Sequence, residues 1–190
     1  MNKAVIPSFF IIILLLSILL YFQGLNGPFI LDDFHNIQST IISDSTFEQW
    51  YQLAFGNYSG HQGRPFSRLS FALNGWLFGL ESFSFKLVNV LLHGFTSFLV
   101  FILVFQLLKL TKIAQSNMVK ISILTSLIWL IHPLQVSTVL YIVQRMSILS
   151  AFFSLLAIIT YIKGRNTLCN TPITIKKYII SCTIVVLIYL

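Results

Sequence analysis

The chain has 190 residues, of which 56% are hydrophobic and only 9% charged, and its formal net charge is +7. A soluble globular domain carries about 25% charged residues, so this composition excludes a water-soluble core and predicts an all-α, polytopic membrane protein. The positive charge does not indicate a nucleic-acid partner, because the basic residues stand singly between apolar runs instead of gathering on one face.

The first predicted element is a span over 4–22. It is about as long as a bilayer is thick, roughly 20 residues at 1.5 Å each. Tyr21-Phe22-Gln23 follows with no small-x-small cleavage site, so the segment reads as a retained helix and not as a signal peptide. Pro7 falls in its first turn, where a missing N–H does no harm, and Gly24-Leu25-Asn26-Gly27-Pro28 ends it. An outer loop over 24–85 comes next and is partly helical. Ser45-Thr46-Phe47-Glu48 is a capping box, and Phe47, Trp50, Tyr51 and Ala54 follow at helical spacing, which suits an aromatic helix at the membrane interface. Gly56 to Gly63 is a turn-rich break. Pro65 then opens a second amphipathic helix with Phe66, Leu69, Leu73, Trp76, Leu77 and Leu80 on one face.

A second span is predicted over 86–108, with Lys86, Asn89 and His93 forming a polar stripe at i, i+3 and i+7. Residues 121–162 read as a hydrophobic hairpin, spans three and four. Its turn falls either at His132-Pro133 or at Gln144-Arg145. A fifth span begins at Tyr178 and reaches Leu190, short of the ~20 residues needed to cross. The expectation is therefore four full spans and a truncated fifth in one membrane module over 1–190, a piece of a longer protein. Cys169 and Cys182 form no framework.

The acidic residues are unevenly placed. Asp32, Asp33, Asp44, Glu48 and Glu81 are the chain's five acids, and all fall in the first long loop. With the N-terminus inside, the inner segments carry Lys3, Lys109, Lys112, Lys120, Lys163, Arg165, Lys176 and Lys177 and no acid. The outer segments carry all the acids with Arg64, Arg68, Lys86 and Arg145. The positive-inside rule favours this orientation, which places the acid pair on the periplasmic or lumenal side of a bacterial inner membrane or an ER membrane.

Asp32, Asp33 and His35, with Arg64, Arg68, Lys86, Asn89, His93 and Arg145 converging, suit one reaction type. A group is transferred from a lipid phosphate to a nucleophile. The carboxylate takes the nucleophile's proton and the arginines neutralise the phosphate. Structural readings stand beside these. The acid pair could cap a helix starting near Phe34, Arg64 and Arg68 could snorkel, and His93 could be a packing residue. Asn89 could join helices, His132 could mark a kink, and Arg145 could be an interfacial stop. There is no P-loop, dinucleotide fingerprint, HExxH or CxxC.

The order of the motifs carries a resemblance. After one span come Gly27-Pro28-Phe29-Ile30-Leu31-Asp32-Asp33-Phe34-His35, then Gly63-Arg64-Pro65-Phe66-Ser67-Arg68-Leu69-Ser70-Phe71-Ala72-Leu73-Asn74. These are followed by Leu87-Val88-Asn89-Val90-Leu91-Leu92-His93, His132-Pro133-Leu134-Gln135, and Gln144-Arg145-Met146. This series resembles the N-terminal membrane module of the tetratricopeptide-repeat O-glycosyltransferases, and more distantly the protein O-mannosyltransferases and aminoarabinose transferases of the GT-C class. The resemblance implies a polyprenyl- or dolichyl-phosphate sugar as donor and a protein or glycan hydroxyl as acceptor. It implies Asp32 as general base, with Asp33 as its partner or as a metal ligand; a divalent metal on the pair is compatible with the class and not required by it. Arg64, Arg68, Arg145, His93, His132 and Asn89 fall on the family's donor-binding elements. A non-catalytic assembly subunit and a lipid-linked sugar flippase are the readings from other classes.

Overall fold

The computed structural model describes residues 5–38, 46–55 and 65–168. The 56–63 break, Arg64, both cysteines and the predicted fifth span lie outside the described residues. Everything regular among the described residues is helical. The order is α1 (Val5–Leu25), α2 (Asp33–Gln38), α3 (Phe47–Phe55), α4 (Pro65–Phe78), α5 (Ser82–Leu108), α6 (Gln115–Ile131), α7 (Gln135–Leu140), a 3-10 turn (Ile142–Gln144) and α8 (Arg145–Leu168).

The long helix α5 is the centre, and α1, α6 and α8 pack around it. The sequence of α1 shows why it lies at the edge. Its buried residues are Phe9, Ile13, Ser17, Tyr21 and Leu25, one every four positions, which is a single ridge on a helix. Ile11, Ile12, Leu15, Leu19 and Phe22 remain exposed, as expected of a face turned to lipid. The helix α6 repeats the pattern with Ser122, Ser126 and Leu130 buried and Ile121, Leu124, Ile128 and Ile131 exposed. In contrast, α5 buries residues around most of its circumference, because it has neighbours on three sides.

Small residues set the closest approaches. A Cβ on Gly94 of α5 would lie 2.9 Å from Leu14 Cδ2 and 2.9 Å from Ser17 Oγ of α1. Where lipid tails are as apolar as leucine, such small-residue contacts let backbones pack closely enough to associate. Gly94→Val is expected to part α1 from α5 at a cost of about 1–3 kcal/mol. Thermal unfolding in detergent checks this, and an unchanged midpoint would contradict it.

Three helical segments are long and apolar enough to cross a membrane: Ile6–Leu25, Ser82–Leu108 and Ile142–Arg165. The chain is an integral membrane protein. The described helices do not confirm the expected count of four full spans: α6 is apolar but 17 residues long, about 26 Å at 1.5 Å per residue, the short end of what crosses a bilayer. Pro133 accounts for its end. A residue before proline is pushed out of the helical region, and His132 is extended at φ −63°, ψ 127°. The hairpin uses both of its candidate breaks. His132-Pro133 ends α6, Arg145 begins α8, and α7 with the 3-10 turn forms a short lid between them.

Candidate active site at the Asp32 end of the bundle

The lid, the end of α1, the start of α5 and helices α2 and α4 meet at one end of the bundle, here called the Asp32 end. Nearly every polar side chain predicted for the site is found there, but most are bonded inward.

Arg145 is the largest side chain buried below 2% exposure. Its Nε–H donates to Asn89 Oδ1 at 2.8 Å. One terminal nitrogen donates to the Ser70 carbonyl at 3.1 Å, with Ser70 Oγ at 3.5 Å. The other donates to Asn74 Oδ1 and to the Phe85 carbonyl, each at 2.9 Å. The guanidinium carbon lies 4.6 Å from the centre of the Phe71 ring and 5.6 Å from that of Phe85. A buried cation is costly unless its donors are met. Here neutral oxygens and two aromatic faces take the place of a counter-ion.

Asn89 extends this network across the bundle. Its Nδ2 reaches the carbonyls of Val139 and Ile142 at 3.2 Å, and that of Tyr141 at 3.5 Å. One carboxamide on α5 thus satisfies carbonyls of the lid, which has little helical bonding of its own. Lys86, one turn earlier, is 1% exposed. Its ammonium donates to Gly27 and Pro28 carbonyls at 2.8 and 3.1 Å, with Gly24 at 3.5 Å. A cation at the C-terminus of α1 also complements the helix dipole. A Cβ at Gly27 would stand 2.9 Å from Nζ, so glycine there makes room for the lysine.

His93 donates from Nε2 to the Leu130 carbonyl at 3.2 Å, and the Tyr21 hydroxyl approaches the same oxygen at 3.5 Å. That oxygen lacks its helical partner because Leu134 N–H turns to His132 Nδ1 instead, at 3.3 Å. His132 itself is exposed. Three residues expected to line a donor site, Asn89, His93 and Arg145, are therefore buried with protein partners. Arg68 is half-buried on α4.

The acid pair divides. Asp33 is 0% exposed, and each of its carboxylate oxygens accepts a backbone N–H, Oδ2 from Ile30 at 3.0 Å and Oδ1 from Val143 at 2.9 Å. It is also near enough to Lys86 to attract it electrostatically. Asp32 is exposed. Its backbone carbonyl accepts from Asn36 N and Nδ2 at 3.0 and 2.8 Å, while its carboxylate has no hydrogen bond among the described residues. A metal held by both acids would have to share an Asp33 oxygen with the amide of Ile30 or Val143. No cluster of three His, Cys, Asp or Glu occurs among the described residues.

Ser70 and Asn74, to which the motif reading gives no role, are the neighbours of Arg145 on α4. Their signal is periodic: Ser67, Ser70 and Asn74 lie at i, i+3 and i+7, beside the apolar face of α4.

The comparisons with known proteins add to this geometry. No protein-family profile matches the chain, and no solved structure matches it. Among curated sequences it is 30% identical over 121 residues to protein O-mannosyl-transferase TMTC3 of Homo sapiens, covering 62% of this chain and 12% of that protein. It is 30% identical over 174 residues to protein O-mannosyl-transferase TMTC4 of Mus musculus, covering 83% and 24%, and 30% identical over 165 residues to TMTC2 of Homo sapiens, covering 80% and 18%.

This chain is similar to the TMTC protein O-mannosyl-transferases. The likeness takes in most of its length, whereas the chain spans less than a quarter of these three relatives. The resemblance read from the Asp-Asp, Asn-x-x-x-His and Gln-Arg elements is thus to the TMTC family, and those elements converge on one end of the bundle.

Proposed function

We propose that this chain is a membrane module of an inverting glycosyltransferase that moves a sugar, mannose by analogy with the TMTC relatives, from a polyprenyl- or dolichyl-phosphate donor to a hydroxyl on a protein or glycan. The observation that carries this reading is the division of the acid pair, with one carboxylate exposed beside another tied into the bundle. Asp32 is the general base. It takes the proton of the acceptor hydroxyl as that oxygen attacks the anomeric carbon. The bond from the anomeric carbon to the phosphate oxygen breaks, and the electron pair leaves with the lipid phosphate, a stable anion that needs no protonation. Arg64 and Arg68 hold and neutralise that phosphate. Arg145, Asn89 and His93 hold α4, α5 and the lid in one arrangement. A metal is not needed for this chemistry.

The test of the reading is incubation of the complete protein in lipid with polyprenyl-phosphate mannose and an acceptor peptide. Transfer of labelled sugar to hydroxyl side chains is expected; donor left intact beside a competent acceptor would overturn it. The proposal also places the Asp32 end on the periplasmic or lumenal side. Single cysteines at Ser59 and Ser116, in a background lacking Cys169 and Cys182, report this. Ser59→Cys should react with an impermeant thiol reagent in sealed membranes of native orientation, and Ser116→Cys only after permeabilisation. The reverse pattern would move the acid pair to the cytoplasm.

A further inference from the structure

The turn that carries Asp32 is unusual in two ways. Leu31, immediately before it, has φ +48°, a left-handed conformation that a non-glycine residue adopts only when its surroundings impose it. The turn is also closed on itself twice. Asp33 N–H donates to the Ile30 carbonyl at 3.0 Å, and Ile30 N–H donates back to Asp33 Oδ2 at 3.0 Å. The second oxygen of the same carboxylate reaches Val143 N–H at 2.9 Å, 110 residues away in sequence. This is not a helix cap, since Asp33 begins α2 and its carboxylate bonds backwards and sideways, not into the first turn.

We infer that Asp33 is a positioning residue, a latch that fastens the strained turn bearing Asp32 to the lid two residues before Arg145. The latch itself follows from geometry; its bearing on turnover rests on the proposed role of Asp32. Three side chains hold the lid segment 139–145: Asp33 takes the Val143 N–H, Asn89 takes the carbonyls of Val139 and Ile142, and Arg145 ties its end to α4 and α5. Phe29 and Ile37 also share an apolar cluster with Ile142 of the lid, but Asp33 supplies the directional bond, so releasing it loosens the backbone on which Asp32 stands. An Asp32 carboxylate so released keeps its charge and chemistry but loses its fixed reach to the acceptor hydroxyl, and placement errors of about 1 Å can cost 10²-fold in rate.

Hydrogen exchange of the complete protein in nanodiscs tests the latch without recourse to activity. In Asp33→Ala, the amides of Ile30 and Val143 should both exchange at least about tenfold faster, because both lose a charged acceptor. In Asp33→Asn, which keeps the shape but offers a single carbonyl oxygen, one amide should be released and the other stay protected; this variant carries the test if Asp33→Ala does not fold. Asp32→Asn should release neither. Unchanged exchange at Val143 in the Asp33 variants, or release of the same amides by Asp32→Asn, would overturn the latch. In the transfer assay the Asp33 variants should lower kcat with KM for donor nearly unchanged. Full turnover with both amides freed would overturn the positioning role. A wild-type protein that transfers nothing would count against the proposed function, and the exchange result would still decide the latch.

Discussion

Asp32→Asn in the complete protein is expected to slow sugar transfer by about 10²–10⁴-fold, the usual cost of removing a general base, while leaving expression, membrane insertion and the fold intact. The reason for the last expectation is structural. Asp32 is exposed and its carboxylate meets no donor among the described residues, so an isosteric amide strands nothing. Donor affinity should also hold, because the base engages the acceptor and not the phosphate; loss therefore appears in kcat. The measurement is initial rate against donor concentration. An Asn variant that kept more than about half the wild-type rate would remove Asp32 from the chemistry.

Arg145→Met should be the most destabilising single change in the described structure. It deletes the guanidinium donors to Asn89 Oδ1 and Asn74 Oδ1, and leaves the Phe85 carbonyl with its helical partner alone. A buried acceptor left unmet costs about 1–3 kcal/mol. The costs are not additive within one network, and polar contacts between membrane helices average less than this, so a net loss of about 3 kcal/mol is expected. At about 2–4 °C per kcal/mol for a protein of this size, that is a fall of roughly 6–12 °C in Tm, read by thermal unfolding in detergent. Arg145→Lys should recover little, because an ammonium is a point donor and cannot fork to α4 and α5 at once. A Tm within 2 °C of wild type in both variants would show that the guanidinium is not what joins these helices.

Much of this fold is legible in the sequence, for identifiable reasons. A helix in lipid must satisfy its own backbone, so apolar length alone locates α1 and α5, and places α8 in the run 121–162 without fixing where it starts. The stripe of Lys86, Asn89 and His93 follows from helical spacing, and the pause at His132-Pro133 from the steric demand of proline. What spacing cannot say is where a long side chain ends. Arg145 looks like a free cation beside the membrane surface until Ser70 and Asn74 of α4, some 70 residues upstream, are seen to enclose it. The two aspartates look equivalent for the same reason. They are told apart only by Val143, whose N–H arrives from the other end of the chain. Where the apolar run 121–162 turns is left open by spacing, because proline can end a helix or merely kink it; the extended His132 shows that here it ends α6.

The proposed role of Asp32 as base, and not as nucleophile, has a stereochemical signature. An acceptor oxygen deprotonated by a carboxylate attacks the anomeric carbon once, and its configuration inverts. A carboxylate that attacked that carbon itself would form a glycosyl ester, and two displacements would restore the original configuration. The decisive measurement is the anomeric configuration of the first product formed by the complete protein from a polyprenyl-phosphate sugar of defined anomer. Inversion, lost together with turnover in Asp32→Asn, is the predicted result. Retention, or a glycosyl ester trapped on Asp32, would contradict the account.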